Sequence, residues 1–207
     1  EQLVRTMKPL FTDSSRASQI KTKGACDYVT QVDIQVQKLI KEGLYQMYPQ
    51  VQFMGEEQDN TAIDRKGDFW ILDPVDGTTN LIHDFRHSTL SLAYAEAGTV
   101  ELGIVYQPYT DEMFVAVKGK GAFLNGKPIH VSEAKTLSES LVTIGTSSYY
   151  HELADWIFKK LLIEEAGGKV TDFSGNDIPT GEPAEILAGN GKINEELLEI
   201  IRKDGDN

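Results

Sequence analysis

The sequence predicts a mixed α/β (α+β) fold in which sheets are layered against helices. Two observations carry this prediction: a long stretch with apolar residues at helical spacing precedes a series of short strand-like segments, and alternating helix and strand patterns follow them. The chain has 207 residues, of which 40% are apolar, enough for one large core or two modest ones. We therefore expect an N-terminal α+β domain over residues 1–144 and a C-terminal α/β domain over residues 145–207.

The first predicted helix follows the segment "YVTQVD". Apolar residues recur there at helical spacing as far as Met47, and Pro49 stops the helix. Two apolar segments, "VQFM" and "FWILD", come next and are predicted strands that both end at acidic residues. The polar stretch between them, "EEQDNTAIDRKGD", predicts a surface loop.

From Ser88 onward the pattern favours an antiparallel meander. Its predicted strands are "STLSLAYAEAG", "ELGIVYQPY", "EMFVAVK" and "GAFLNGKPIHV", and Asn125-Gly126 is a two-residue hairpin turn. Beyond Gly145 the sequence predicts a helix that ends in "LLIEEAGG" and strands at "KVTDF" and "EILAGN". A last helix is expected from Asn194 to Arg202, and its predicted core residues are Leu197, Leu198 and Ile201.

Charge and composition exclude several classes of partner. The formal net charge of −12 opposes binding to nucleic acid or to an anionic membrane, and no basic cluster interrupts it. No apolar run approaches the roughly 18 residues of a spanning helix. The single cysteine, Cys26, cannot form an internal disulfide and fits a reducing compartment, so we predict a cytoplasmic protein.

The segment "DPVDG" places two carboxylates at the end of a predicted strand. Pro74 biases Asp73 towards an extended conformation, so we expect Asp73 to be the last strand residue, with Asp76 returning to the same edge. Two such carboxylates repel each other unless a cation lies between them, and Mg²⁺ accepts oxygen ligands of this kind. The carbonyl of Val75 and the carboxylate of Glu56, which also follows a strand, are predicted to complete the ligand set.

The next residues predict a phosphate site beside these carboxylates. Gly77, Thr78 and Thr79 open a short predicted helix, whose N-terminal N–H groups attract anions. Metal ligands next to an anion site are typical of a metal-assisted phosphate hydrolase, in which Thr78, with Glu56 or Glu57 as base, activates the attacking water. The competing interpretation is structural: the aspartates shape an Asx turn, and Thr78 caps a helix.

These motifs resemble the inositol monophosphatase family of Mg²⁺-dependent, lithium-sensitive phosphatases. The segments "GEE", "WILDPVDGTTNLIH", "GIVYQP", "GKGAFLNG" and "EEAGGKVTDFSG" occur in the same order as in that family. The resemblance implies the layered αβαβα sandwich shared with fructose bisphosphatases, a homodimer, Mg²⁺ as cofactor and a small phosphomonoester as substrate.

The resemblance also implies roles for individual residues. Glu56, Asp73 and Asp76 match the metal-binding carboxylates, and Val75 matches the backbone metal ligand. Thr78 matches the threonine that activates water together with Glu56, and the turn of Gly77, Thr78 and Thr79 matches the phosphate site. Asp33 resembles the aspartate that supports the second and third metal positions. From the residues alone, Thr30-x-x-Asp33 favours a helix capping box instead.

One interval departs from the family pattern. Relatives carry a "GS(A)A" loop and a "WDxAAG" helix start, whose aspartate binds metal and substrate hydroxyls, before "EEAGG". Here "SSYYHELADWIFKKLLIEEAGG" compresses this interval, and Asp155-Trp156 has the reverse order. We expect a break near Lys160 where residues are missing, so that the intact protein would exceed 23.0 kDa by several kilodaltons. If the shortening is genuine, the second domain lacks a metal ligand and most inositol contacts.

The predicted function is Mg²⁺-dependent hydrolysis of a phosphomonoester, namely inositol monophosphate or a similar polyol or sugar phosphate. Alternatives within the enzyme class are a fructose-1,6-bisphosphatase and a nucleotide 3'-phosphatase, although "GTTNLIH" favours the inositol branch over the latter. The alternative from another class is a non-catalytic regulator that binds a protein partner and keeps the turn for structure.

Overall fold

The computed structural model describes residues 1–13, 20–24, 27–141, 163–177 and 187–205. Within these ranges the helices are α1 (Gln2–Arg5), α2 (Lys8–Thr12), α3 (Gln31–Met47), α4 (Thr78–Ile82) and α5 (Asn194–Gly205), with a 3₁₀ turn at Leu137–Glu139 and a helical turn at 163–165. The strands are β1 (Ile20–Gly24), β2 (Asp27–Thr30), β3 (Gln52–Gly55), β4 (Phe69–Asp76), β5 (Thr89–Glu96), β6 (Thr99–Gln107), β7 (Glu112–Val117), β8 (Gly121–Leu124), β9 (Lys127–Ile129), β10 (Lys169–Thr171) and β11 (Leu187–Gly189).

The central element is a seven-stranded sheet in the order β3-β4-β5-β6-β7-β8-β9. The pair β3–β4 is parallel, and every later pair is antiparallel, which confirms the predicted meander and the hairpin at Asn125-Gly126. Two-residue hairpins of this kind need positive φ at both turn residues, and here Asn125 and Gly126 have φ values of 48° and 77°. The mixed α/β class predicted from the sequence is therefore confirmed.

Helix α3 covers one face of the sheet. Its buried positions include Val32, Val36, Ile40 and Leu44, which recur every three to four residues and so form a single stripe. These residues share a core with Leu72, Leu90, Leu92, Ile104, Tyr106 and Met113 of the sheet. A second cluster, of Met54, Phe69, Ile71, Ala93 and Ala95, lies on the opposite face, because strand side chains alternate between faces.

Strand β4 is longer than the sequence predicts. Asp73 was expected to end the strand, but β4 continues to Asp76, so that expectation is wrong. Asp73 pairs with Ser91 and Asp76 pairs with Thr89, with an irregular register between the two pairs. The irregularity contains Pro74, which has no N–H to donate to the ladder, so the strand resumes pairing only after it.

The C-terminal part of the described chain follows the predicted alternation of helix and strand. The antiparallel pair β10–β11 matches the segments predicted at "KVTDF" and "EILAGN". In α5, Leu198 is buried as expected, whereas Leu197 and Ile201 are only partly buried. The domain boundary at residues 144 and 145 and the expected break near Lys160 lie outside the described residues. No helix in the described ranges is long and apolar enough to cross a membrane.

Candidate active site

The site lies at the end of the parallel strand pair β3–β4 of the central sheet. Gly55 of β3 is the register partner of Leu72 in β4, and the Glu56 N–H donates to the Leu72 carbonyl oxygen over 3.2 Å. Because parallel strands end at the same sheet edge, Glu56 arrives beside Asp73. The Glu56 side chain is exposed, whereas Asp73 is only 4% exposed.

Polar side chains hold the turn after β3 in place. Gln37, four residues after Asp33 on α3, accepts a hydrogen bond from the Glu57 N–H over 2.8 Å. Asn60 donates to the Gly55 carbonyl over 2.7 Å and accepts from the Gly55 N–H over 3.2 Å. Neither Gln37 nor Asn60 was predicted from the sequence as a site residue. The i, i+4 spacing from Asp33 could have indicated Gln37, but no local signal indicates Asn60.

The "DPVD" segment forms a compact turn around two oxygen acceptors. Asp73 Oδ1 accepts a hydrogen bond from the Val75 N–H over 3.0 Å, which is the Asx geometry of the structural interpretation. The Val75 carbonyl accepts from Thr78 Oγ1, also over 3.0 Å. Val75 is 2% exposed and Asp76 is partly buried, so this edge of the sheet is well packed.

Gly77 makes the turn from β4 into α4. Its φ is +88°, and a Cβ atom at this position would lie 3.1 Å from the His87 carbonyl oxygen. The returning chain is fixed there, because Ser88 Oγ donates to the Gly77 carbonyl and Asn80 Nδ2 donates to the His87 carbonyl, each over 2.8 Å. A rigid turn of this shape keeps the N–H groups of the predicted phosphate site in position.

Asp33 links helix α3 to this turn. Its Oδ2 accepts from the Thr30 N–H over 2.8 Å and from Thr30 Oγ1 over 2.6 Å, and Val32 N–H donates back to Thr30 Oγ1, so the capping box is present. Its Oδ1 accepts from Thr78 Oγ1 over 3.2 Å. Burial raises the pKa of Asp33, and the hydrogen bonds from Thr30 and Thr78 partly oppose this rise. Asp33 therefore both caps helix α3 and contacts Thr78 of the site.

The potential ligand atoms at this edge are oxygens, which are the ligand type that hard divalent cations prefer. They are the carboxylates of Glu56, Asp73 and Asp76 and the carbonyl of Val75, without thiol or imidazole among them. Across the part of the chain that the structure describes, no three carboxylate, histidine or cysteine groups are gathered as a ready-made metal site. The strand ends bring these oxygen ligands to one edge of the sheet. The carboxylate side chains would have to rotate before they could bind one ion together.

Comparison with known proteins places these motifs in one family. A sequence model of the inositol monophosphatase family matches residues 2–160. The inositol monophosphatase of Dictyostelium discoideum is 40% identical over 251 aligned positions, which cover 96% of this chain and 92% of that protein. The alignment is longer than this chain of 207 residues, so at least 44 of its positions are gaps in this chain.

Another relative carries the name of a regulator. The Nus factor SuhB of Escherichia coli is 30% identical over 238 positions, which cover 92% of this chain and 87% of that protein.

Solved structures share the fold over nearly the whole chain. The IMPase of Thermotoga maritima superposes with a TM-score of 0.86 at 25% identity, covering 99% of this chain and 96% of that one. An IMPase/NADP phosphatase solved with Mg²⁺ and phosphate has a TM-score of 0.80 at 20% identity, covering 96% and 92%, and shows the fold alone. These matches confirm the predicted fold class. The chain belongs to the inositol monophosphatase family and is a phosphoric monoester hydrolase.

Proposed function

We propose that this chain hydrolyses inositol monophosphate, or a similar polyol or sugar phosphate, with Mg²⁺ as cofactor and water as the attacking group. The observation that carries the proposal is the hydroxyl of Thr78, which lies within hydrogen-bond distance of both Asp33 Oδ1 and the Val75 carbonyl oxygen. The Thr78 hydroxyl has one hydrogen, which it can donate to either of these two acceptors. Its lone pairs can then accept a hydrogen bond from a donor such as water.

Asp33 and Thr78 together can take the proton of that water. Thr78 accepts a hydrogen bond from the water and passes its own hydrogen towards Asp33, whose raised pKa makes it a better base than an exposed aspartate. Glu56, at the end of β3, is the second group proposed to orient the water. No covalent intermediate is expected, because water is the proposed nucleophile.

The proposed ligands of the divalent cation are Glu56, Asp73, Asp76 and the Val75 carbonyl. When bound, the ion neutralises phosphoryl oxygens and lowers the pKa of a nearby water. Gly77, Thr78 and Thr79 are proposed to hold the phosphate through their N–H groups, and Asp76 lies next to this turn. The homodimer and the cytoplasmic location remain predictions.

A phosphate-release assay tests the proposal. The purified chain is offered inositol monophosphates, fructose 1,6-bisphosphate and nucleotide 3'-phosphates with and without Mg²⁺. We expect Mg²⁺-dependent release that is largest with inositol monophosphate, inhibition by lithium at millimolar concentration, and loss of release in Asp76→Asn without loss of fold by circular dichroism. Lithium insensitivity would weaken the inositol assignment alone. Release from another substrate class would reassign the chain within the family.

A second candidate function is regulation through a protein partner. The named regulator among the relatives favours it. A folded wild-type protein that releases phosphate from no phosphomonoester at any Mg²⁺ concentration would support this candidate against the hydrolase.

A further inference from the structure

The hydroxyl of Ser91 is buried in the central sheet without a hydrogen-bond partner. Ser91 is 0% exposed, and its Oγ contacts no donor or acceptor among the residues that the structure describes. Leaving such a group unsatisfied destabilises the folded state, so folded proteins keep few of them. Alanine would fit the same space without an unpaired hydroxyl, so the serine indicates a function for the hydroxyl group.

The register of the sheet gives Ser91 one polar cross-strand partner. Its partner on β4 is Asp73, and its partner on β6 is Val105. Residues directly opposite in an antiparallel pair project from the same face, with Cβ atoms about 4.5–5.5 Å apart. The cluster of Phe69, Ile71, Ala93 and Ala95 on this face shows the same alternation along both strands. Ser91 thus lies beside the Asp73 side chain on one flank and beside Val105 on the other.

The chemistry of the pair is complementary. A carboxylate accepts several hydrogen bonds, and Asp73 Oδ1 already accepts one from the Val75 N–H. The hydrogen of a serine hydroxyl rotates about the Cβ–Oγ bond, so it can turn towards a nearby acceptor without movement of the backbone. Donation from Ser91 would fix the orientation of the Asp73 carboxylate at the packed end of the sheet.

We propose that Ser91 is a positioning residue for Asp73: its hydroxyl donates to the carboxylate when Asp73 binds the divalent cation. This inference rests on the proposed function, in which Asp73 is a metal ligand. Groups that hydrogen-bond to metal ligands typically change metal affinity by about 10-fold to 100-fold when they are removed.

Mg²⁺ titration of two variants tests the inference. Ser91→Ala removes the hydroxyl beside Asp73, and Thr171→Val is the matched control. Thr171 is also 0% exposed, its Oγ1 also lacks a partner among the described residues, and it lies on β10 opposite Leu187. By calorimetry with Mg²⁺ alone, we expect the Kd of Ser91→Ala to rise about 10-fold. The Kd of Thr171→Val should equal that of the wild type.

The thermal stability of the metal-free variants distinguishes a positioning role of Ser91 from a structural one. Both variants lose an unsatisfied hydroxyl, so neither metal-free protein should have a lower Tm than the wild type. Ser91→Cys, which keeps a weak donor of similar size, should give an intermediate Kd. A Ser91→Ala protein with wild-type Mg²⁺ affinity would overturn the inference, and so would equal losses of affinity in Ser91→Ala and Thr171→Val.

Failure of this inference is distinguishable from failure of the proposed function. Phosphate release by the wild type, together with an unchanged Kd in Ser91→Ala, removes only the role of Ser91. Weaker Mg²⁺ binding in Ser91→Ala, together with no phosphate release by the wild type, supports the role and removes the hydrolase proposal. Absence of Mg²⁺ binding to the wild type removes both.

Discussion

Thr78 and Asp33 are 45 residues apart in the chain, and their side chains are joined by a hydrogen bond of 3.2 Å. Asp33 belongs to the first turn of helix α3, and Thr78 opens helix α4. The bond therefore attaches the helix that covers the sheet to the turn after β4. Asp33 also caps its own helix, so one carboxylate contacts both the start of α3 and the turn after β4.

Thr78→Val tests the role of this hydroxyl. The variant keeps the shape of the side chain but loses the donor to Asp33 and to the Val75 carbonyl. We expect kcat for phosphate release to fall by about 10²-fold or more, because proton transfer by a positioned group contributes on that scale. Thr78→Ser keeps the hydroxyl and should retain most activity. Equal activity in Thr78→Val and the wild type would exclude Thr78 from proton transfer.

Gly77→Ala tests the conformation of the proposed phosphate turn. The positive φ of 88° alone costs an L residue about 1–2 kcal/mol, and the new Cβ would also meet the His87 carbonyl and Asn80 Nδ2, each at 3.1 Å. Gly126→Ala is the control, because Gly126 has a similar φ of 77° but no atom within 4 Å of a Cβ.

We expect urea denaturation to show a larger loss of unfolding free energy in Gly77→Ala than in Gly126→Ala, and only Gly77→Ala should lose phosphate release. Equal effects of the two substitutions on stability would show that the close contacts at Gly77 carry no cost.

Glu165→Ala tests the connection between the C-terminal segment and the sheet. The two carboxylate oxygens of Glu165 accept from the N–H groups of Gly119, in the turn after β7, and of Gly121, the first residue of β8, each over 3.0 Å. Loss of both bonds should reduce the free energy of unfolding by about 1–3 kcal/mol. Hydrogen exchange at these two amides should accelerate. Glu165→Gln, with one carbonyl oxygen left, should fall between the wild type and Glu165→Ala, and unchanged exchange in both variants would contradict the contact.

Tyr106→Phe tests a pH dependence at the turn between β6 and β7. The Tyr106 hydroxyl donates to Asp111 Oδ1 over 2.7 Å, and this bond, assisted by Arg5, lowers the pKa of Asp111 below its ordinary value of 3.8. A lowered pKa gives stability that is present above pH 3.8 and is lost as the pH falls through the folded-state value. Tyr106→Phe should therefore raise the pKa of Asp111. The difference in unfolding free energy between Tyr106→Phe and the wild type should become smaller as the pH falls below 3.8.

The measurement is a carbon NMR titration of the Asp111 carboxyl, with urea denaturation at neutral pH and below pH 3.8. Tyr45→Phe is the control, since Tyr45 is 65% exposed and lies on α3. A lower Asp111 pKa in Tyr106→Phe than in the wild type would contradict the assigned cause.

Sequence patterns predicted the elements whose signals are local. The helical stripe that ends before Pro49 and the Asn125-Gly126 hairpin follow from residue spacing and turn chemistry, which act over a few residues. The short helices α1 and α2 and the antiparallel strand pair β1–β2 were not predicted, because segments of four or five residues give too few repeats to reveal a period.

The sequence by itself determined which residues are available for chemistry: the carboxylates after two strands, the glycine and threonines that follow, and the capping pair of Thr30 and Asp33. Only the tertiary structure decided which of them meet. The parallel pairing of β3 with β4, the bond from Thr78 to Asp33 and the position of Ser91 opposite Asp73 join residues far apart in the chain. Such contacts depend on strand register and helix packing, which are set by burial of whole faces and not by neighbouring residues.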